Sequence, residues 1–420
     1  MYDLKERKTQ SRVKHEILEQ YLGKWTSIIT SGLKNSYKQF PGMAAQSRSR
    51  FVYIDYFAFS GAYKENNKIV YGSPVLGIQA LDKLKSSFAA ITGGLTPSMT
   101  TILFEEDPTT YKNLIGTLES QSYGHRIRDA AALNKLTDDD IIVIKGDSSQ
   151  YVDSILGLLK GKNPPYSFHF IDPYGTKSVE RKNIEKIVST AKADCIINMM
   201  LNPILIRLGI AAKSELVPAE QAHAGYFDEF FGSDIWRDIG NKVKARTINK
   251  KQAEMYLATL FLQILNGADE NLWVKHIPLK FQDKDEILYY LFLTTHNETG
   301  AFWMNRLLDD ASIKEYDYRS EKRKMKTETV QMQLDFLSQI PDQKRPTEPE
   351  PDIDELAKII YTACRARKTM LYIEILREMV KSSYYFEDIT AALKILRQEK
   401  RASFDGAPSA LKNQSEITFL

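Results

Sequence analysis

Acidic side chains follow apolar segments at the points where predicted strands end. Asp55 closes the run "FVYID", Glu105 closes "TTILFE", Asp147 follows "IIVIKG" and Asp172 closes "FHFID". In an open parallel sheet, ligands bind outside the carboxyl ends of the strands, near the point where the strand order reverses. We therefore expect these carboxylates to lie around one cleft.

Two of these strand ends have the chemistry to hold a nucleoside. A carboxylate after the second strand accepts two hydrogen bonds from a vicinal diol, so Glu105 or Glu106 is predicted to bind a ribose. Asp147 is predicted to lie beside an adenine and to accept a hydrogen bond from its amino group. The alternative is helix capping, because Asp107 and Asp147 also stand where N-cap residues belong.

The turn Asp172-Pro173-Tyr174 indicates a different chemistry. Proline restricts the backbone, so the Asp172 carboxylate and nearby carbonyl groups are predicted to point into the cleft. Tyr174 offers an aromatic face on which a planar group can stack. An amino nitrogen that must attack an electrophile gains from such acceptors, which position it and hold its protons. His169, inside "SFHFID", is interpreted as a core histidine rather than a base.

The elements that position these residues alternate between apolar runs and amphipathic segments. Continuous apolar strands alternating with helices favour a parallel sheet covered on both faces. We therefore predict an α/β fold of the doubly wound, Rossmann-like type with helical insertions at 202–280. A helix is expected over 12–30, and the predicted strands are 51–55, 100–107, 140–147, 166–175, 193–201 and 286–296.

The chain changes character after the α/β part, which is assigned to residues 1–317. Residues 318–350 are first basic and then rich in proline and glutamate, which predicts a solvated linker. Residues 351–420 contain three helical patterns and a weak hairpin, which predict a small winged helix-turn-helix domain.

The predicted recognition helix of this C-terminal module would offer basic side chains to nucleic-acid phosphates. They are Lys394, Arg397, Lys400 and Arg401. Residues 351–420 carry eleven Lys/Arg against ten Asp/Glu, however, so docking on a protein stays open as the alternative to DNA or RNA.

Composition sets the remaining bounds. Of the 420 residues, 43% are hydrophobic and 26% are charged, which is typical of a globular protein. The net charge of +3 does not demand a polyanionic partner, and the two cysteines form no zinc-binding spacing. No signal core or membrane-spanning run is visible, so we expect a cytoplasmic protein with no membrane partner and no metal site.

The order of the motifs resembles one protein family. "KHEIL", "YIDYFAFSGAY", "GSP", "LFEEDPTTY", "KGD", "FHFIDPYG" and "NMMLN" follow one another as in the three-Cys-motif partner (TcmP) proteins. These are class I S-adenosylmethionine-dependent methyltransferases, and the resemblance covers roughly residues 10–310. It implies a methyltransferase fold, S-adenosylmethionine as cofactor, and a radical-SAM-type partner protein that bears three cysteines.

The resemblance also implies roles for individual residues. The cofactor-loop positions are Asp55, Phe57, Ala58 and Gly61; the ribose acid is Glu105, the adenine-side acid is Asp147, and the acceptor turn is Asp172, Pro173 and Tyr174. Lys14 and His15 match a Lys-His pair that would face the carboxylate end of the cofactor. The alternative for this pair is a polar, solvent-facing position.

Phe59 departs from the family pattern, because it replaces the first glycine of the cofactor loop. Either its ring turns away and the cofactor binds, or the site is impaired. The first case implies a methyltransferase acting on an amino nitrogen, on a nucleic acid base or on a substrate presented by a partner. The second implies a scaffold with a methyltransferase fold that binds a partner protein, nucleic acid or both.

Overall fold

A computed structural model of the chain describes residues 4–39, 49–92, 96–134, 137–173, 180–213, 215–281, 286–331, 346–347 and 350–420. The strands are β1 (Arg50–Asp55), β2 (Ala62–Glu65), β3 (Lys68–Tyr71), β4 (Ser98–Glu105), β5 (Ile127–Arg128), β6 (Ile141–Lys145), β7 (Tyr166–Ile171), β8 (Ala193–Met199), β9 (Trp273–Lys280), β10 (Ile287–Thr295), β11 (Thr369–Leu371), β12 (Ala402–Ser403) and β13 (Glu416–Phe419).

The α-helices cover the sheet faces and build the C-terminal region. They are α1 (Thr9–Gln39), α2 (Ser73–Thr92), α3 (Pro108–Ser120), α4 (Val152–Leu158), α5 (Arg181–Val188), α6 (Asn202–Arg207), α7 (Pro218–Phe231), α8 (Ile235–Lys244), α9 (Lys250–Ala268), α10 (Glu298–Gln331), α11 (Ile353–Cys364), α12 (Tyr372–Met379) and α13 (Phe386–Gln398). Among the described residues, no helix is both long and apolar enough to cross a membrane.

A central sheet of eight strands has the order β5-β6-β4-β1-β7-β8-β10-β9. β1 pairs in parallel with β4 on one side and with β7 on the other. Only β10 and β9, at one edge, run antiparallel to their neighbours. The chain leaves β1 toward β4 and β6 and later returns to place β7 and β8 on the other side, so the order reverses between β1 and β7. The prediction of a mixed α/β fold with a mostly parallel, Rossmann-like sheet is confirmed.

Apolar layers cover both faces of this sheet, because alternate residues of a strand point to opposite faces. Phe51 and Tyr53 of β1 pack with α1, α2, α3 and α10. Val52 and Ile54 pack with α4, α5 and the inserted helices α6–α9. All the strands predicted for the α/β part are present, as β1, β4, β6, β7, β8 and β10.

The hairpin β2–β3 and the edge strands β5 and β9 of the α/β part were not predicted. The hairpin β2–β3 turns at Asn66 and Asn67, whose φ angles of 48° and 60° lie in the left-handed region that asparagine tolerates. β9 lies at the edge of the sheet within a segment that was expected to be mainly helical. Pro278 interrupts its strand pattern, and an edge position is where a sheet accepts proline.

The C-terminal region begins on α10, which runs without interruption past residue 317. The first part of the segment predicted as a linker is therefore helical. Beyond it, α11, α12 and α13 surround a small antiparallel sheet of order β11-β13-β12. The apolar core of this module includes Ala301 and Phe302 of α10. The module is thus packed against the α/β part and not tethered at a distance from it.

Candidate active site

An open cleft of about 980 Å³ lies at the carboxyl ends of the central strands. It is lined by side chains that follow β1, β4, β6 and β7, and by the N-terminal segment. These include Lys5, Phe57, Phe59, Glu105, Glu106, Asp107, Asp147, Ser148 and Asp172. Glu105, Asp147 and Asp172 therefore meet at one cleft, as the strand pattern predicted. The fourth carboxylate, Asp55, does not reach its surface.

Asp55 lies beneath the loop that follows β1, with none of its surface exposed. One of its oxygens accepts a hydrogen bond from the Phe57 backbone N–H at 3.1 Å. Burial raises the pKa of Asp55 to about 7, although a hydrogen bond with Ser73, at the start of α2, opposes that rise. Asp55 therefore stabilises the loop conformation through this hydrogen bond and does not contact the cleft.

The loop is shaped by backbone conformation as well. Ala58 is buried and donates its N–H to the Phe104 carbonyl at 2.8 Å. Gly61 has a φ of 70°, and a Cβ there would lie 3.0 Å from the Leu114 side chain. Glycine is needed at this position both for the left-handed turn and for the close approach of α3. Of the predicted loop residues, only Phe57 lines the cleft.

Phe59 stands at the loop position where the resembling family has glycine. Its φ of 52° lies in the left-handed region that favours glycine. Its ring stacks on Tyr63, with centroids 5.5 Å apart and planes 18° apart. The Lys5 ammonium lies 5.1 Å from the centre of the Phe59 ring. The ring is half-buried and forms part of the cleft wall, and the backbone keeps the path of a glycine loop.

Glu105 is half-buried at the end of β4. Its carboxylate accepts the backbone N–H of Asp107 at 2.9 Å and also a hydrogen bond from the Phe59 backbone. Burial raises the pKa of Glu105, while these two hydrogen bonds oppose the rise. Glu106, the alternative ribose acid, is exposed at the rim.

Asp107 and Asp147 are both N-caps, so the capping interpretation is confirmed for each. Asp107 accepts the Thr110 N–H at 2.7 Å. Asp147 accepts the Ser149 N–H at 2.9 Å and the Ser149 hydroxyl at 2.7 Å. Each carboxylate oxygen can accept a second hydrogen bond, so Asp147 stays able to bind a ligand in the cleft.

Asp172 is held by two side chains distant in sequence. The Lys14 ammonium of α1 donates to its Oδ2 atom. The amide nitrogen of Asn198, from β8, donates to its Oδ1 atom at 2.7 Å. Asn198 was not singled out from the sequence, although it is the polar residue in the apolar run "CIINMML". Pro173 borders a small apolar cavity, and Tyr174 lies outside the described residues.

Lys14 and His15 are buried, at 6% and 3% exposure, so the solvent-facing interpretation of this pair is wrong. Burial, together with the nearby charges of Lys14 and Arg7, lowers the pKa of His15 to about 3. The His15 ring lies 5.5 Å from Tyr63, which in turn stacks on Phe59. The His15 Nδ1 atom has no hydrogen-bond partner in the described part of the chain.

His169 does not face the cleft. Its two ring nitrogens lie 3.1 Å from the Tyr56 hydroxyl and 3.0 Å from the Ser167 hydroxyl. Complete burial lowers its pKa to about 3, so it is neutral at physiological pH. The interpretation of His169 as a core histidine is confirmed.

Of the four basic residues predicted for nucleic acid, Lys394 and Arg397 lie in the last turns of α13, and Lys400 and Arg401 follow it. Lys394 and Lys400 are exposed. Arg397 donates to the Gly406 carbonyl at 2.6 Å, and Arg401 lies 3.9 Å from the centre of the Tyr361 ring. Two of the four cations are therefore engaged within the module.

The start of α13 instead faces α10. The Tyr385 hydroxyl donates to Asp309 at 2.8 Å. Phe386 packs edge-on against Phe302, with ring centroids 6.2 Å apart. Recognition helices contact bases with their N-terminal residues, and this end of α13 contacts α10, although Phe386 and Glu387 remain exposed.

Comparison with solved structures finds distant likenesses. Protein LPL1258 from Legionella pneumophila str. Philadelphia 1, with the family model DUF519, is 11% identical with a TM-score of 0.32, over 68% of this chain and 85% of that one. A loganic acid methyltransferase with SAH is 8% identical with a TM-score of 0.26, over 78% of this chain and 92% of that one. A scan against protein-family models and a search of curated proteins find no match.

Proposed function

We propose that the chain is an S-adenosylmethionine-dependent methyltransferase of the cytoplasm. Its acceptor would be an amino nitrogen, on a nucleic acid base or on a substrate presented by a three-cysteine, radical-SAM-type partner. The observation that carries this proposal is the cleft of about 980 Å³, which has Glu105 and Asp147 on one part of its wall and Asp172 on another. A nucleoside and a nucleophile could meet there, outside the ends of parallel strands.

The residues of the cleft fit the cofactor. Glu105 would accept hydrogen bonds from the ribose hydroxyls, and Asp147 would accept one from the adenine amino group. Lys14 and His15 would face the amino-acid end of the cofactor. The Nδ1 atom of buried His15 has no hydrogen-bond partner in the described part of the chain, and a ligand could supply one. The cofactor supplies an activated methyl group when bound. Phe59 fits because its backbone already follows a glycine-like path.

Asp172 would position the acceptor nitrogen. Lys14 donates a hydrogen bond to one oxygen of the carboxylate in a partly buried ion pair, and an ionised carboxylate acts only as a hydrogen-bond acceptor. Each oxygen keeps a lone pair beyond its bond to Lys14 or Asn198. The carboxylate can therefore orient an N–H group of the acceptor without itself moving, which favours reaction by positioning.

Calorimetry with S-adenosylhomocysteine tests this proposal. Wild-type protein should bind it, and Glu105→Ala should weaken binding by about 1–3 kcal/mol through loss of charge-assisted hydrogen bonds. Glu106→Ala is the matched control, because this neighbouring acid is exposed at the rim, and its affinity should stay unchanged. Equal affinity in wild type and Glu105→Ala would remove Glu105 from the site.

The second candidate is a cofactor-impaired scaffold that binds a partner protein, nucleic acid or both. It is favoured by one observation, the Phe59 ring in the wall of the cleft, where the resembling family has glycine. This candidate is supported if wild-type protein does not bind S-adenosylhomocysteine and the Phe59→Gly variant does.

We further propose that residues 351–420 form a winged-helix domain that contacts nucleic acid, following an α/β domain at 1–317 and a connecting segment at 318–350. Three helices and a three-stranded antiparallel sheet support the first part. The exposed Lys394 and Lys400 support the second, with Arg397 and Arg401 near them. Because the start of α13 contacts α10 and the exposed lysines lie toward its other end, contact with phosphates would involve that other end.

A further inference from the structure

The side chain of Asn198 leaves one polar atom without a partner next to Asp172, a carboxylate that lines the cleft. Asn198 itself borders the same small apolar cavity as Pro173. Asn198 is 4% exposed, and its Oδ1 atom has no hydrogen bond within the described part of the chain. Leaving a buried acceptor unsatisfied costs about 1–3 kcal/mol, and folded proteins rarely leave one so. A buried acceptor of this kind beside a functional carboxylate is suited to a donor brought by a ligand.

Chemistry fixes the orientation of this amide. Asp172 forms an ion pair with Lys14 through its Oδ2 atom, and its Oδ1 atom accepts the N–H side of the Asn198 amide. The Nδ2 atom of Asn198 lies 2.7 Å from Asp172 Oδ1, and it also lies 3.6 Å from the Met200 sulfur. The carbonyl oxygen of the same planar amide therefore points away from the carboxylate, although the two side chains are neighbours.

We propose that Asn198 Oδ1 and the Asp172 carboxylate together hold the two hydrogens of a primary amino group on the methyl acceptor. This inference rests on the methyltransferase function proposed above, and it narrows the substrate to a nitrogen that carries at least two hydrogens. With both N–H bonds held, the lone pair of the nitrogen is directed away from the two acceptors. A hydroxyl or thiol has a single hydrogen and would leave one acceptor unsatisfied, which disfavours such substrates strongly.

The pair can be tested without knowing the substrate. Sinefungin is an analogue of the cofactor in which a carbon bearing a primary amine replaces the methylated sulfur, so its amine lies where the transferred methyl group would lie. Calorimetry gives the ratio of the Kd of S-adenosylhomocysteine to the Kd of sinefungin. The wild type should prefer sinefungin, because its amine can donate to Asp172 and to Asn198.

Two variants test whether Asn198 accepts a hydrogen bond from the ligand or only orients Asp172. Asn198→Ala removes both interactions, whereas Asn198→Ser keeps a hydroxyl that can donate to Asp172 but shortens the acceptor. We expect both to lower the ratio about tenfold while the affinity for S-adenosylhomocysteine stays within about twofold. Asn134→Ala is the control and should leave the ratio unchanged, because Asn134 is exposed and its side chain donates to the neighbouring Ala131 carbonyl.

The outcomes are distinguishable. A wild-type ratio near one, or an unchanged ratio in Asn198→Ser, would overturn the role of Asn198 and leave the methyltransferase proposal standing. A parallel loss of both ligands in the two variants would make Asn198 a structural residue and overturn the inference as well. Failure of wild-type protein to bind either ligand would overturn both proposals together.

Discussion

Phe59 offers a direct test of the loop that shapes the cleft. With a φ of 52°, it adopts a conformation that costs an L-residue roughly 1–2 kcal/mol, and glycine does not incur this cost. Its ring offsets that cost through the stack on Tyr63, about 0.5–1.5 kcal/mol, and through the Lys5 ammonium, about 0.5–1 kcal/mol. The observed conformation is thus a balance between backbone strain and ring contacts.

Two substitutions separate these effects. Phe59→Ala loses the ring contacts and keeps the strain, so we expect it to lower the free energy of unfolding by about 2 kcal/mol. Phe59→Gly loses the same contacts but relieves the strain, against roughly 0.5–1 kcal/mol of extra chain entropy. The glycine variant should therefore be about 1 kcal/mol more stable than the alanine variant.

Urea denaturation followed by tryptophan fluorescence measures this difference. Asn67, in the β2–β3 turn with a φ of 60°, is the matched control, and its glycine variant should likewise be more stable than its alanine variant. An alanine variant at position 59 as stable as the glycine variant would refute the left-handed conformation of Phe59. Since the loop backbone already follows a glycine path, we expect Phe59→Gly to bind S-adenosylhomocysteine within about threefold of wild type.

Further outcomes follow from other sites. Burial raises the pKa of Asp194 from 3.8 to about 7, so the folded state binds this proton more tightly than the unfolded state does. The free energy of unfolding should therefore fall as the pH rises from about 4 to about 7. Asp194→Asn should reduce that fall, measured as urea midpoints in a pH series. Asp172→Ala should abolish methyl transfer in a radiolabel assay but keep S-adenosylhomocysteine affinity, and full activity would exclude its positioning role. Lys394→Glu with Arg397→Glu should weaken duplex binding and flatten its salt dependence in an anisotropy assay; unchanged binding would favour protein docking.

The strands of the sheet were predictable because burial on both faces leaves a strong local signal. "FVYID" and "CIINM" are continuous apolar runs, and they form β1 and most of β8. β9 was missed because Pro278 and alternating polar residues weaken that signal at the sheet edge. The hairpin β2–β3 was missed because its strands are short and only the pair Asn66-Asn67 marks its turn.

The candidate site was predictable only one residue at a time. The acids at strand ends could be found because each follows its own strand in sequence. The ion pair of Lys14 with Asp172 could not, because it joins residues 158 positions apart. Burial of His15 likewise depends on how α1 lies on the sheet, which no local pattern of "KHEIL" reveals. Contacts that depend on distant packing have no signal in a single sequence.

The position of α1 has a consequence for synthesis of the chain on the ribosome. This helix is made before the strands of the central sheet. The Tyr289 hydroxyl that donates to the Gln10 carbonyl lies 279 positions later, and the Tyr318 hydroxyl that bonds Glu16 lies 302 positions later. At about 5–20 residues per second, these partners emerge roughly 15–60 s after the helix. Its apolar face, including Ile17, Leu18 and Leu22, has no completed sheet to cover it during that interval. The nascent chain therefore presents an apolar surface that chaperones can bind before the sheet is complete.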